Sequence, residues 1–227
     1  MTPEEWQAIA LSLRVALVAT LFALPPGIWV AHLLARKSFR GKWLVDGLVH
    51  MPLVLPPVVT GYLLLLMFGR QGAIGQVLDQ WFGLSFAFHW TGAALASAVM
   101  GFPLLVRAVR LGFEAIDHRI EQAATTLGAS SLRVFLTITL PLALPAVAAG
   151  AILAFAKSLG EFGATITFVS SIPGQTETLP AAIYALLQVP GGDAAALRLT
   201  AWAVVLALLA LGLSEWLTNR MRRRIRE

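Results

Sequence analysis

The chain has 227 residues, of which 58% are hydrophobic and 13% charged, with a formal net charge of +5 and no cysteine. Soluble domains carry roughly 25% charged residues, so this composition excludes an ordinary soluble protein; the missing cysteines exclude a disulfide framework, a thiolate nucleophile and a cysteine-based metal site. The basic excess does not point to nucleic acid, because Lys and Arg fall in short segments beside apolar runs and form no aromatic-interleaved face. The expected fold class is an all-α integral membrane protein, one domain over residues 1–227 with five spans, since its apolar runs match a ~30 Å hydrocarbon layer.

The N-terminal Met1-Thr2-Pro3-Glu4-Glu5-Trp6 lacks the basic region of a cleavable signal, so the first apolar run reads as a retained helix with Trp6 as interfacial anchor. That span covers about 8–34, and Pro25-Pro26-Gly27 is expected to break or kink it. Arg36, Lys37, Arg40 and Lys42 follow, which makes this short loop cytoplasmic and places the N-terminus outside. The second span, about 44–68, is interrupted by Pro52 and by Pro56-Pro57. A break at membrane depth is tolerated where the freed backbone groups face protein or a water-filled cavity, so Pro56, Pro57 and Thr60 are candidates for the wall of a path. Residues 69–90, with Trp81, Phe82 and Trp90, read as an outer loop carrying an aromatic belt.

The third span, about 91–112, returns the chain to the basic side, where Arg107, Arg110, Arg119 and Arg133 bracket the segment 121–129 within the loop 117–131. In that loop Glu121-Gln122-Ala123-Ala124-Thr125-Thr126-Leu127-Gly128-Ala129 is a polar island whose small residues let another surface come close. Asp117 can cap a short helix over about 118–127, Glu121 stands near its positive end, Gly128 suits a left-handed exit, and Ser130 or Ser131 can cap the next helix. On these features alone the segment is either a docking element or a plain hairpin between two membrane helices.

The fourth span, about 134–169, is too long for one simple crossing and must tilt, kink or end in the interface, with Gly150, Gly160 and Gly163 as bending points. Its last part holds Lys157, Ser158, Glu161, Gly163 and Thr165. Ionisable residues in a span are functional suspects. Lys157 and Glu161, four apart on a helix, can neutralise one another, so the segment is a structural ion pair or a gate or pore wall. Hydroxyls and N–H groups of Ser158, Gly163 and Thr165 suit a weakly held anion better than a naked lysine. Residues 170–195 carry no Lys or Arg and read as an outer loop with one surface helix at 179–188. The fifth span, about 197–217, runs into Arg220, Arg222, Arg223, Arg224 and Arg226, which places the C-terminus inside.

His32, His50, His89 and His118 are scattered and none has a second ligand at metal spacing, so no metal site is expected. No Gly-x-x-x-x-Gly-Lys-Ser/Thr loop is present, so ATP hydrolysis by this chain is not expected. An intramembrane hydrolase would rest on scattered Ser and His alone, and a channel or secondary carrier would need its own selectivity apparatus or inverted repeats.

The spacing Ala123-Ala124, Gly128, Ile138, Leu140-Pro141 resembles the loop signature of inner-membrane subunits of binding-protein-dependent ABC importers: Glu-Ala-Ala, three residues, Gly, nine residues, Ile, one residue, Leu-Pro. The signature's Glu is replaced by Gln122, and the carboxylate stands one residue earlier at Glu121. Beyond the loop, Ala35–Lys42, Leu53–Tyr62, Leu159–Thr165, Gln175–Pro180 and Pro190-Gly191-Gly192 resemble the molybdate permease family, close relatives of the sulfate permeases. The Leu159–Thr165 run is shared with sulfate permeases and marks the oxyanion group, while the Pro56-Pro57-Val58-Val59-Thr60-Gly61 run, the Gln175–Pro180 run and the short length favour molybdate, with a sulfate/thiosulfate or tungstate permease of the same family as the alternative. The resemblance implies a type I importer permease in the bacterial inner membrane, with no cofactor in this chain. It implies a homodimer, an outer oxyanion-binding protein, and two cytoplasmic ATPase subunits that bind ATP and Mg. It also implies a coupling helix at Glu121, Gln122, Ala123, Ala124, Leu127, Gly128 and Ala129 that docks on those ATPases.

Overall fold

The computed structural model describes residues 2–226, with side chains described for residues 2–213 and Trp216. The side chains of Arg220, Arg222, Arg223, Arg224 and Arg226, the basic end expected for the fifth span, lie outside the described residues. A capping box opens α1 (Pro3–Arg36): the Thr2 hydroxyl accepts from the Glu5 amide at 3.2 Å, and the Glu5 carboxylate accepts from the Thr2 amide at 3.1 Å. The helix continues without interruption through Pro25-Pro26, so of the expected break or kink the break is absent. What holds this stretch is packing on the third span. A Cβ at Gly27 would stand 2.6 Å from Leu105 Cδ2, and Ala23 and Leu105 share one buried cluster.

The Pro56-Pro57 pair does break its span. Leu55 and Pro56 are both extended, with ψ of 141° and 134°, as residues preceding proline tend to be. Helices α2 (Lys42–Val54) and α3 (Pro57–Phe68) therefore meet at a 116° bend. The region expected as an outer loop contains α4 (Ala73–Phe82), closed by Gly83 at φ +63°. Ile74, Val77 and Trp81 form an exposed apolar stripe along it. Helical spacing within a stretch of mixed composition was the missed signal.

The buried centre is α5 (Trp90–Glu114), which has α1 on one side and the rod Ser131–Leu159 on the other. Small residues allow close approach on this second side: a Cβ at Gly112 would overlap Ala146 Cβ. The rod consists of α7 (Ser131–Val134), a π-helical turn (Phe135–Thr139) and α8 (Leu140–Leu159). It stops at Gly160 and the chain resumes as α9 (Gly163–Val169), so the expected fourth span of 134–169 is two pieces. The short α6 (His118–Thr126) joins α5 to the rod, α10 (Leu179–Leu187) fits the surface helix expected at 179–188, and α11 (Asp193–Arg226) closes the chain. Among the described residues four helices are long and apolar enough to cross a membrane, or five if the bent α2–α3 pair is counted as one broken span.

The end of the bundle opposite α6 is tied by polar contacts. Arg198 donates to Glu5 at 2.7 Å, and the Leu179 amide donates to Ser12 Oγ at 2.6 Å. The buried Thr176 closes the preceding loop, accepting from the Ile172 amide at 3.0 Å and donating to the Ser170 carbonyl at 3.2 Å. That loop forces Ser170 to φ +63° and ψ −173°, a region open essentially to glycine. Ser170→Gly should raise the thermal midpoint of the purified protein by a few degrees, because relief of roughly 1–3 kcal/mol of strain exceeds glycine's entropy cost of about 0.5–1 kcal/mol. An unchanged or lower midpoint would show that the loop is not strained there.

Candidate functional site

Two places in the bundle combine polar groups with unusual backbone, and the first is α6 with its exit. Asp117 Oδ1 accepts from the Arg119 amide at 2.9 Å and starts the helix. At the other end the Ala129 amide donates to Ala124 O at 3.1 Å and the Gly128 amide to Thr125 O at 3.0 Å, the paired bonds of a glycine-terminated helix. Gly128 sits at φ +87° with open space where a Cβ would be. Ser130 accepts from the Arg133 amide and caps α7. The Thr125 and Thr126 hydroxyls bond back to the carbonyls of Gln122 and Ala123. The outer surface is thus short: Gln122, Ala123, Gly128 and Leu127, which is 89% exposed at the tip.

Glu121 faces the other way. Its Oε1 accepts from Arg36 Nη2 at 3.1 Å and from Thr139 Oγ1 at 2.7 Å, and its Oε2 lies 3.4 Å from His118 Nδ1. Arg36 also donates to Ile116 O at 3.2 Å. With side-chain exposures of 6% for Arg36 and 16% for Glu121, this cluster is largely withdrawn from water and ties α6 to the last turn of α1 and to the π-helical turn. Of the residues expected to dock, Glu121 therefore anchors the element, while Ala124 and Ala129 are half-buried and Gln122, Ala123, Leu127 and Gly128 present it. From sequence Arg36 was read only as part of the basic loop after the first span, and Thr139 was not singled out. The hint was the displaced carboxylate, because one residue is about 100° around a helix.

The second place is where the two broken helices meet. Pro57, at the start of α3, touches Gly163, at the start of α9: a Cβ on Gly163 would lie 2.7 Å from Pro57 Cβ. A Cβ on Gly61 would lie 2.5 Å from Ala164 O. Glu161 stands between α8 and α9, its side chain 1% exposed. Its Oε2 pairs with Lys157 Nζ at 2.5 Å, and its Oε1 accepts from the Ala164 amide at 3.0 Å. The expected pair of Lys157 and Glu161 exists, but it spans the end of a helix instead of lying along one, because Gly160 ends α8 first.

The hydroxyls expected to face an anion are engaged within the chain. Ser158 Oγ donates to Ser97 O at 3.3 Å and Thr165 Oγ1 to Phe162 O at 2.9 Å. Thr60 Oγ1 is buried without a partner among the described residues. Pro56 and Pro57 are exposed, and the Lys157 side chain keeps 30% exposure. This layer thus offers two discontinuous helices with a neutralised charge pair between them, an arrangement suited to a polar path through a membrane. Among the described residues no cluster of His, Asp and Glu could hold a metal.

Residues 23–223 match the family model described as the inner membrane component of binding-protein-dependent transport systems. The chain is similar to the molybdenum transport system permease protein ModB of Escherichia coli K12, 58% identical over 99% of this chain and 98% of that protein. It is similar to ModB of Haemophilus influenzae at 60% identity over 97% of this chain and 96% of that protein. Among solved structures, a bacterial ABC transporter involved in import of alginate superposes with a TM-score of 0.72 at 19% identity, covering 98% of this chain and 80% of that one.

Proposed function

We infer the function from one premise: the chain belongs to the family of inner-membrane components of binding-protein-dependent transport systems. It is the permease subunit of an importer, and its cargo is molybdate. The observation that carries the cargo is the 58% identity, over nearly the full length, to a permease named for molybdenum transport. The fold agrees, since the alginate importer shares it.

The finer reading rests on the geometry. Arg36, Lys37, Arg40 and Lys42 lie at the α6 end, so that end is cytoplasmic and the start of α1 is outside. The surface of Gln122, Ala123, Leu127 and Gly128 docks in a cytoplasmic ATPase subunit, which supplies the ATP and Mg chemistry. Leu127 is the anchor, since an 89% exposed leucine at a loop tip is otherwise unsupported. Two copies of the chain form the pore with their broken helices, two ATPases dock below, and an oxyanion-binding protein delivers cargo from outside. Specificity resides in that binding protein, and the permease offers a gated polar path.

The test is purification of the tagged chain with a co-expressed ATPase subunit, then ATPase rates with the binding protein empty, sulfate-loaded and molybdate-loaded. The expected result is a complex of two permeases and two ATPases whose rate rises with the molybdate-loaded protein. Equal stimulation by sulfate would overturn the cargo, and purification without an attached ATPase would favour a channel or secondary carrier.

A further inference from the structure

A cavity of about 350 Å³ lies between α2 and α5, lined by Asp46, His50, Arg107, Arg110, Leu111 and Glu114. Its carboxylates are already in use. Arg110 Nη1 bonds Asp46 Oδ1 at 2.9 Å, and Arg110 Nε bonds Glu114 Oε1 at 2.7 Å. His50 Nδ1 is occupied as well, 2.8 Å from the Asp46 carbonyl. Arg107 is exposed in the single chain and has no hydrogen-bond or ion-pair partner among the described residues, although it stands in Trp90–Glu114, a helix long and apolar enough to cross a membrane. Seven residues of helix, roughly 10 Å along its axis, separate it from Glu114. A guanidinium within a membrane span is costly unless it faces water or meets an anion.

The cavity's position gives it a purpose. Helix α2 runs from the α6 end to the break at Leu55-Pro56, and His50 precedes Val54, the last residue of α2, by four residues or roughly 6 Å. From the double break toward the α6 end, α2 lines an apolar cavity through Leu48, Val49 and Pro52 and this charged one through Asp46 and His50. Beyond it a second cavity of about 490 Å³ shares Asp46 and Arg110 and adds Arg40 and Lys42. Together the two linings carry Arg40, Lys42, Arg107 and Arg110 against Asp46 and Glu114, four cations and two carboxylates. Lys157, at the break itself, is neutralised by Glu161.

We propose that the cavity between α2 and α5 is the exit station for the transported tetrahedral oxyanion, with Arg107 as its charged ligand. The proposal rests on the importer reading above. One open guanidinium in a cavity that is not a closed cage holds a dianion long enough to draw it past the break and loosely enough to release it. Arg110 keeps the wall in place by spanning α2 and α5 through Asp46, so it is a positioning residue.

The test uses the assembled transporter in vesicles of phosphatidylcholine, with and without phosphatidylglycerol. In phosphatidylcholine alone, Arg107→Gln should cut molybdate uptake several-fold while the loaded binding protein still stimulates the ATPase, and Arg107→Lys should restore most of the uptake. A second readout leaves Arg107 in place. The chain has no cysteine, so Leu111→Cys gives a single thiol in the cavity wall. Molybdate should slow the reaction of that thiol with N-ethylmaleimide several-fold, and the protection should vanish when Arg107→Gln is added. Normal uptake by Arg107→Gln, or absence of molybdate protection in the Leu111→Cys variant, would overturn the site. A defect or protection that depends on phosphatidylglycerol alone would assign the cavity to a lipid headgroup and overturn it too. Failure of the native complex to import molybdate would instead overturn the importer reading.

Discussion

Gly128→Leu should leave the permease inserted in the membrane yet abolish its coupling, so that uptake is lost and the ATPase no longer responds to the loaded binding protein. Two costs have to be separated. Gly128 is left-handed, at φ +87°, and any side chain there costs roughly 1–2 kcal/mol. No atom lies within 4 Å of the position a Cβ would take, so within this chain the first atom of a side chain meets open space. Asn tolerates the left-handed region and has as many side-chain heavy atoms as leucine, so Gly128→Asn removes most of the strain and keeps the bulk. Gly128→Ala keeps the strain with little bulk. Loss of coupling in the Leu and Asn variants with near-normal coupling in the Ala variant assigns the effect to a partner surface pressed against this turn. Near-normal uptake in the Leu variant would remove the docking assignment.

Much of this region was legible in the sequence because its signals are local. Asp117, Gly128 and Ser130 do what side chains of their type do at helix ends, and the four-residue spacing of Lys157 and Glu161 was enough to pair them. Proline was a less certain guide. Pro56-Pro57 broke its span, where the backbone before each proline is extended and α3 finds a partner in α9, whereas Pro25-Pro26 did not, where α1 is pressed along its length against α5. What decides between these outcomes is tertiary packing, which no local pattern contains. The same holds for Glu121, whose partners Arg36 and Thr139 are 85 and 18 residues away. Sequence placed it among the residues expected to dock, and the fold turned it inward, where it ties α6 to α1 and the π-helical turn.

The second large effect is expected at Glu161, where the two contacts of one carboxylate separate a structural role from a role in the path. Glu161→Ala removes both the partner of Lys157 and the acceptor that caps α9. Breaking a buried ion pair by deleting one member costs about 3–5 kcal/mol, the lower part of that range applying here because Lys157 keeps some water, and the lost cap adds about 1 kcal/mol. Assembled permease recovered from membranes should therefore fall sharply. Exchanging the residues, Lys157→Glu with Glu161→Lys, should not restore it, because an ammonium at 161 cannot accept the Ala164 amide. The neutral pair Lys157→Met with Glu161→Gln should restore assembly, since the glutamine oxygen still caps α9 and no charge is left buried. Uptake by that double variant then decides the matter. Normal uptake means that the pair only holds the break together, and assembly without uptake means that its charges take part in moving the anion. If Glu161→Ala assembles normally, the carboxylate holds neither helix in place and the double break is stabilised by the contacts of Gly61 and Gly163 alone.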